Sequence, residues 1–406
     1  MARLTDAGKK ALDDLANTII EGKTIPGFVM GATSADEELY FQGGGYKVVN
    51  DRTSGQVDGD TVFWVCSMTK MITHIAALQL IEQGKLATDT PVSKFFPQFF
   101  NTVILSDITS PTSSYIPAKT AITVQHLLNF SSGLFYPIIP RAGSRMPDPY
   151  SAPHDLKDPH GNFLALLQGD LPGIPLKFEP GTDFVYGYSS DILGFIVEKI
   201  TGTTLESYFQ ENIFKPLGIK GSFYLTQDLK ERMLTLTRRT EEGKFEPRQE
   251  HDIMEQNHIK VSRHMGGVGL YTTLKDYLTL LRHILQVRAG KATNPILKLE
   301  SVRSMFVGAS TEAGIKNLDL FTVSAPTKGN SWSTALAVSS VDAPKRRKKG
   351  SAFWSGWAGT YFFMDPTTGL AGIFGTQLTG IASGSRDPEN LKAFTAFEET
   401  LYAGLA

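Results

Sequence analysis

Apolar positions along the chain recur with two different spacings. In "ALDDLANTIIEGK" near the N-terminus, Leu12, Leu15, Ile19 and Ile20 fall at helical spacing, and Thr5 is placed to cap that helix. The last stretch, "PENLKAFTAFEETLYAGLA", has the same amphipathic character and opens on Pro388, at the helical position where a missing N–H costs nothing. Strand-like runs lie just inside these helices, at 27–33 and 38–49 and again at 351–364 and 370–377. The second pair is joined by "DPTTG", a compact turn, which predicts a hairpin. From about 68 to 290 the pattern is mostly helical, broken by the long loop "YPIIPRAGSRMPDPYSAPHDLKDPHG" at 136–161. Loops of that length inside a compact unit are usually lids or binding loops, so this one is expected to wall a pocket. The order predicts a discontinuous α/β (α+β) domain, residues 1–85 plus 290–406, with a mostly helical domain, 86–289, inserted in it.

One segment imitates an engineered feature. "EELYFQGG", residues 37–44, resembles a recognition site used to remove tags, yet it lies between an apolar run with a polar turn and "GYKVV". It reads as the second strand of a β-hairpin.

Composition narrows the classes. The 406 residues are 41% hydrophobic and 20% charged, as in soluble globular proteins, and the net charge of -1 gives no electrostatic reason to expect nucleic acid or an acidic membrane as partner. A single cysteine, Cys66, excludes an internal disulfide framework and any cysteine-rich metal site. The N-terminus lacks a signal-peptide core and no segment reaches the ~18 apolar residues of a membrane span, so a cytoplasmic location is expected. The basic run Lys345, Arg346, Arg347, Lys348 and Lys349 reads as a solvated loop before a strand.

Chemistry concentrates in "FWVCSMTK", residues 63–70. The pattern from Met68 to Gln83 predicts a helix stopped by Gly84, which puts Ser67 at the helix edge, where free N–H groups favour a developing oxyanion. Lys70 follows one turn later on the same face, within reach of the serine oxygen. The competing reading is a serine cap beside a solvated lysine. Cys66 reads as a small buried thiol packed under the helix start. A lysine acting as base needs its pKa lowered by about 3 from its ordinary value near ~10.4, and a tyrosine is a natural partner for sharing the proton. "EPGTDFVYGYSSDILGFIVEKITG", residues 179–202, supplies one in Tyr186, after a Pro-Gly turn and before an apolar helix beginning near Asp191. Tyr188 is the rival for that role.

Taken together, Ser-x-x-Lys, a Pro-Gly-x4-Tyr ahead of a helix and a late Gly-containing strand resemble the three signatures of the serine β-lactamase and penicillin-binding-protein superfamily, in the tyrosine form of class C enzymes. "ITVQHLLNFSSGL" (122–134), "MGGVGLYTTLKDYLTLLRHIL" (265–285) and "FFMDPTTGLAGIFGTQL" resemble further family segments, so the likeness spans most of the chain. The resemblance implies a β-lactamase/transpeptidase-like fold: an antiparallel sheet flanked by the terminal helices. It also implies acyl transfer through a covalent ester, with Ser67 as nucleophile and Lys70 and Tyr186 sharing its proton. The backbone N–H groups of Ser67 and Trp357 would then hold the oxyanion.

The departures from the family pattern point to substrate. Trp354-Ser355-Gly356 fills the Lys-Thr-Gly position, whose lysine meets the substrate carboxylate in lactam-directed members. A Trp-x-Gly there resembles the family VIII carboxylesterases and the related fungal lovastatin-type acyltransferases. Tyr188 stands where lactamases often carry Asn, and Phe130 replaces the usual histidine. Tyr188, Trp354, Ser355 and Gly356 are therefore expected to line an apolar cleft suited to a hydrophobic ester. His126 and His264 match no catalytic order and are expected in the core or on the surface; no metal and no cofactor are expected. These features favour an esterase of short to medium acyl esters. An acyltransferase using an ester or acyl-thioester donor, including a carrier-protein or CoA thioester, comes second. A β-lactamase or D-alanyl peptidase ranks below both, followed by a non-catalytic binding module.

Overall fold

In the computed structural model, which describes residues 2–110, 113–136, 149–150, 152, 157–248, 259–322, 325–381 and 386–406, both ends of the chain build one sheet. Its strands are β1 (Gly27–Ser34), β2 (Glu38–Val48), β3 (Asp51–Gln56), β4 (Ser331–Trp332), β5 (Ala337–Val338), β6 (Ala352–Gly356), β7 (Thr360–Asp365) and β8 (Leu370–Thr376). They run antiparallel in the order β4-β5-β6-β7-β8-β1-β2-β3. Phe28 faces Thr376 and Met30 faces Phe374, so the first strand and the last one sit side by side in the middle. Helices α1 (Asp6–Gly22) and α5 (Pro388–Ala403) pack together against β2 and β8, while α4 (Leu274–Arg288), inside the 86–289 stretch, lies against β1 and β8. With both faces covered, β1, β7 and β8 are buried at every position, which is why their sequences read as continuous apolar runs. The expected caps are present: Thr5 Oγ1 accepts from Gly8 N at 2.9 Å, and Pro388 occupies the first turn of α5. "EELYFQGG" falls on the turn and second strand of the β1–β2 hairpin.

Three features differ from the sequence reading. The run 351–364 is two strands, because Gly359, at φ 97, reverses the chain after Trp357 and folds β7 back onto β6. The middle of the chain, expected to be mostly helical, also carries a small sheet that the pattern does not predict: Thr102–Leu105, Tyr115–Pro117 and Ile174–Leu176, in keeping with the β-branched Thr102, Val103 and Ile104. The basic run is only partly solvated. Arg347 is fully buried, and it and Arg346 grip the Glu398 carboxylate of α5 at 2.7 and 2.5 Å.

That triad ties the loop before β6 to α5. Burial alone would raise the Glu398 carboxyl, but the two guanidiniums outweigh it and hold it down to about 2. Such a group adds stability that is complete above the unfolded carboxyl value near ~4.3 and is lost as pH falls toward about 2. Glu398→Gln strands the buried Arg347 charge and is expected to cost about 3–5 kcal/mol at neutral pH. Denaturant titrations of both proteins, at neutral and at acid pH, check this: the gap should shrink as the solution is acidified.

Candidate active site

Ser67 reaches its place through a strained elbow. The strand Val62–Trp64, paired with Tyr271–Thr273, ends in Val65; Cys66 then adopts φ 48, and a single 3-10 turn, Cys66–Met68, leads into helix α2 (Thr69–Glu82). A positive φ at a residue other than glycine persists only where the surroundings over-determine it. Here Thr69 Oγ1 donates to the Cys66 carbonyl (2.6 Å) and accepts from Leu270 N (3.1 Å), while Val65 N donates to the Leu270 carbonyl (3.1 Å) and Tyr277 OH to the Met68 carbonyl (2.9 Å). α2 is buried nearly all round and packs on α3 (Ser189–Thr201), so the helix that carries Ser67 and Lys70 sits on a rigid base. Cys66 is buried, with Sγ 3.6 Å from the Trp64 carbonyl.

Lys70 is 1% exposed, which removes the solvated-lysine reading. Its Nζ lies 3.2 Å from Ser67 Oγ, 3.1 Å from Tyr136 OH and 2.7 Å from the Gly267 carbonyl, and 4.6 Å from the centre of the Tyr186 ring. Tyr186 is brought in by the Pro180-Gly181 turn: Gly181 N donates to the Ser131 carbonyl and Val185 N to the Phe130 carbonyl. Its ring stacks 5.4 Å from that of the fully buried Phe130. Trp354 Nε1 donates to Tyr186 OH at 3.1 Å, which leaves the tyrosine's own proton to point elsewhere. Trp354 is therefore a partner of the catalytic candidate, and at 7% exposure it offers the cleft only an edge.

β6 passes close by. A Cβ built on Gly356 would fall 2.6 Å from the Val65 carbonyl, so only glycine permits β6 to come so close to the turn that carries Ser67. Ser355 points away toward α5: its strand neighbour Tyr361 stacks on Phe394 there, and Ser355 Oγ accepts from Arg386 Nη1 at 3.0 Å. Tyr188 is 1% exposed and lies edge-on behind Tyr136 and Tyr150, with ring centres 4.7 and 5.3 Å away, outside the cleft surface.

Sequence reasoning missed a chain of groups behind Lys70. Tyr136 OH bonds Tyr150 OH at 2.8 Å, and Tyr150 OH donates to Asp191 Oδ2 at 2.7 Å. Asp191, fully buried on α3, also accepts the Gly267 N–H on Oδ1 at 2.8 Å. Burial pushes the Tyr136 and Tyr150 hydroxyls well above the ordinary tyrosine value, with the Asp191 charge adding to it. Burial also raises the Asp191 carboxyl, against the pull of the Lys70 cation. The remainder of the 136–161 loop, expected as a pocket wall, lies largely outside the described residues.

His264 and His126 keep to structural places. His264 is buried between Glu198 (2.8 Å) and Tyr224 (2.9 Å), and His126 Nδ1 accepts the Thr123 N–H. Among the described residues, no group of three or more His, Cys, Asp or Glu side chains is placed to hold a metal ion, and no helix is long and apolar enough to cross a membrane.

Comparison with known proteins gives the family and the fold. The family model described as Beta-lactamase matches residues 12–395. The chain is 30% identical to acyltransferase calJ of Penicillium decumbens over 366 residues, 85% of this chain and 82% of that protein. It is 31% identical to the lovastatin esterase of Penicillium rubens over 283 residues, 68% of each chain. Among solved structures, unliganded simvastatin synthase from Aspergillus terreus superposes with a TM-score of 0.79 at 24% identity, covering 98% of this chain and 99% of that one. At that identity the superposition speaks for the fold.

Proposed function

The chain belongs to the beta-lactamase family of serine hydrolases and acyltransferases, and from that premise we propose that it is a serine esterase of short to medium acyl esters, working through an acyl-enzyme on Ser67. The observation that carries the reading is Lys70 Nζ at 3.2 Å from Ser67 Oγ, held in a site closed to water on its inner side. Lys70 takes the serine proton as Oγ attacks the ester carbonyl, and the N–H groups of Ser67 and Trp357 receive the oxyanion. Tyr186, whose oxygen already accepts from Trp354, protonates the departing alcohol and later deprotonates the incoming water, and Lys70 returns its proton to Ser67 Oγ as the acid leaves. Around Tyr186, the buried Phe130 and Trp332 brace the ring, while the exposed Phe321, 5.8 Å from it, and the edge of Trp354 suit an apolar acyl or alcohol moiety.

The second reading is transfer of the acyl group from an ester or thioester donor to an alcohol or amine. It is favoured by relatives named as acyltransferases beside others named as esterases. Intact-protein mass spectrometry after mixing with a panel of acyl donors tests both. An adduct that clears in water alone supports the esterase; one that persists until an alcohol or amine is added supports transfer; no adduct with any donor overturns both.

A lactam comparison is equally direct. Trp354 stands where a lysine would meet a lactam carboxylate, and Arg386 lies beside Ser355 on the other face of β6. Loss of a charge-assisted contact costs about ten- to a hundredfold in rate. Nitrocefin is therefore expected to turn over slowly, if at all, beside p-nitrophenyl butyrate. A higher kcat/KM for nitrocefin would sink the esterase reading.

A further inference from the structure

Lys70, Tyr136, Tyr150, Asp191 and Gly267 form a closed ring of hydrogen bonds: two arms leave the buried Asp191 carboxylate and both end on Lys70 Nζ. We propose that Asp191 is a positioning residue that fixes the direction of every proton in this ring, and so aims the lone pair of Lys70 at Ser67. The inference rests on the reading of Lys70 as the base for Ser67.

Proton counting carries the argument. A carboxylate only accepts, so Tyr150 must spend its single proton on Asp191 Oδ2. The Tyr150 oxygen then accepts from Tyr136, whose single proton is thereby used. Tyr136 can only accept from Lys70, and the Gly267 carbonyl, aligned by its own N–H on Asp191 Oδ1, can only accept as well. A neutral lysine amine has two N–H bonds and one lone pair. Both N–H bonds are now committed, to Tyr136 and Gly267, and the third direction, at 3.2 Å, is Ser67 Oγ. The lone pair therefore faces the serine hydroxyl, which can only donate to it. When the proton moves from Oγ to Nζ, the ammonium's three N–H bonds meet three acceptors without any rearrangement of the ring. The raised hydroxyls of Tyr136 and Tyr150 keep both residues protonated, as this relay of orientation requires.

Asp191→Asn inverts the ring with almost no change of shape. The Gly267 N–H still needs an acceptor, so the amide oxygen stays there and the amide NH2 faces Tyr150. Tyr150 then turns its proton to Tyr136, and Tyr136 turns its proton to the Lys70 lone pair. Ser67 is left facing an N–H. The acylation rate should fall about a hundredfold or more, as when a general base is lost, with KM changed little. Tyr136→Phe cuts the arm. On its own it only leaves one Lys70 N–H without its acceptor and should cost less, whereas beside Asp191→Asn it removes the donor that occupies the lone pair. The decisive result is the double variant: Asp191→Asn with Tyr136→Phe should acylate faster than Asp191→Asn alone. A double variant as slow as Asp191→Asn, or slower, overturns the proposal. Should Asp191→Asn not fold, Tyr150→Phe keeps the bond to Gly267 and frees Tyr136 to reverse. Its loss should be relieved by Tyr136→Phe in the same way, and absence of relief overturns the proposal too. The rates are read as the p-nitrophenyl butyrate burst. Ser67→Ala and Lys70→Ala run alongside: if either stays active, the base assignment itself has failed, whereas inactive controls without rescue condemn the ring alone.

Discussion

Ser67→Ala is expected to abolish p-nitrophenyl ester turnover and labelling by a serine-directed phosphonate. Losing a nucleophile held as a unit with its base costs about a thousandfold or more in kcat. The adjacent Cys66 supplies the control. Its thiol is buried under the start of α2, with Sγ 3.6 Å from the Trp64 carbonyl. Cys66→Ala should therefore keep most of the activity, at a modest cost in stability from the lost sulfur packing. Active-site titration with the phosphonate, followed by intact mass, measures both. A dead Cys66→Ala beside an active Ser67→Ala would reverse the assignment.

Lys70→Ala and Tyr186→Phe should each lower kcat/KM by several orders of magnitude, and the double variant should be little worse than either. The two side chains serve one acylation step around the same serine: the lysine nitrogen sits 3.2 Å from the serine oxygen and 4.6 Å from the centre of the tyrosine ring. With either the proton acceptor for Ser67 or the proton donor for the departing alcohol gone, that step already fails, so the second loss adds little. Tyr186→Phe keeps the ring on Phe130 and removes only the oxygen that Trp354 addresses, which separates chemistry from packing. Losses that add strictly would show the two groups acting independently. A Tyr186→Phe that retains most activity would transfer the acid role to a different hydroxyl, Tyr136 being the one in reach of Lys70.

The elements that sequence makes legible are those whose cause is local. Ser67 and Lys70 declare themselves because one helical turn sets their separation, and the terminal helices because Thr5 and Pro388 mark their starts. The β1–β2 hairpin shows for the same reason. The break at Trp357 does not, since apolar residues continue on both sides and one glycine's dihedral makes the turn. Arg347 reads as solvated because its acid partner, Glu398, lies on a helix far along the chain. The same blindness hides the group behind Lys70. Tyr136 and Tyr150 belong to a long loop without periodicity, and Asp191 looks like an ordinary first-turn acid of α3 until the fold buries it. The spacing of Tyr188 to Tyr186 suggests a cleft residue, but spacing does not say which side of a loop faces the cleft, and Tyr188 is buried.

The pairing of β1 with β8 also governs how the chain can reach its native state. β1 is buried on both faces, yet its neighbour β8 is the last strand of this sheet along the chain, so until β8 has been made the pair β1 and β2 has one edge open. Closing so long a loop is entropically slow, and the helical middle has time to collapse first. The two termini of the described chain nonetheless end in contact, with Thr5 Oγ1 on the Gly404 carbonyl and Ala406 N on the Arg3 carbonyl. A circular permutant that joins these ends and opens the chain in an exposed turn of the middle would make β8 and β1 near neighbours in sequence. The most distant contact of the sheet would become one of its most local, with the active site left where it is.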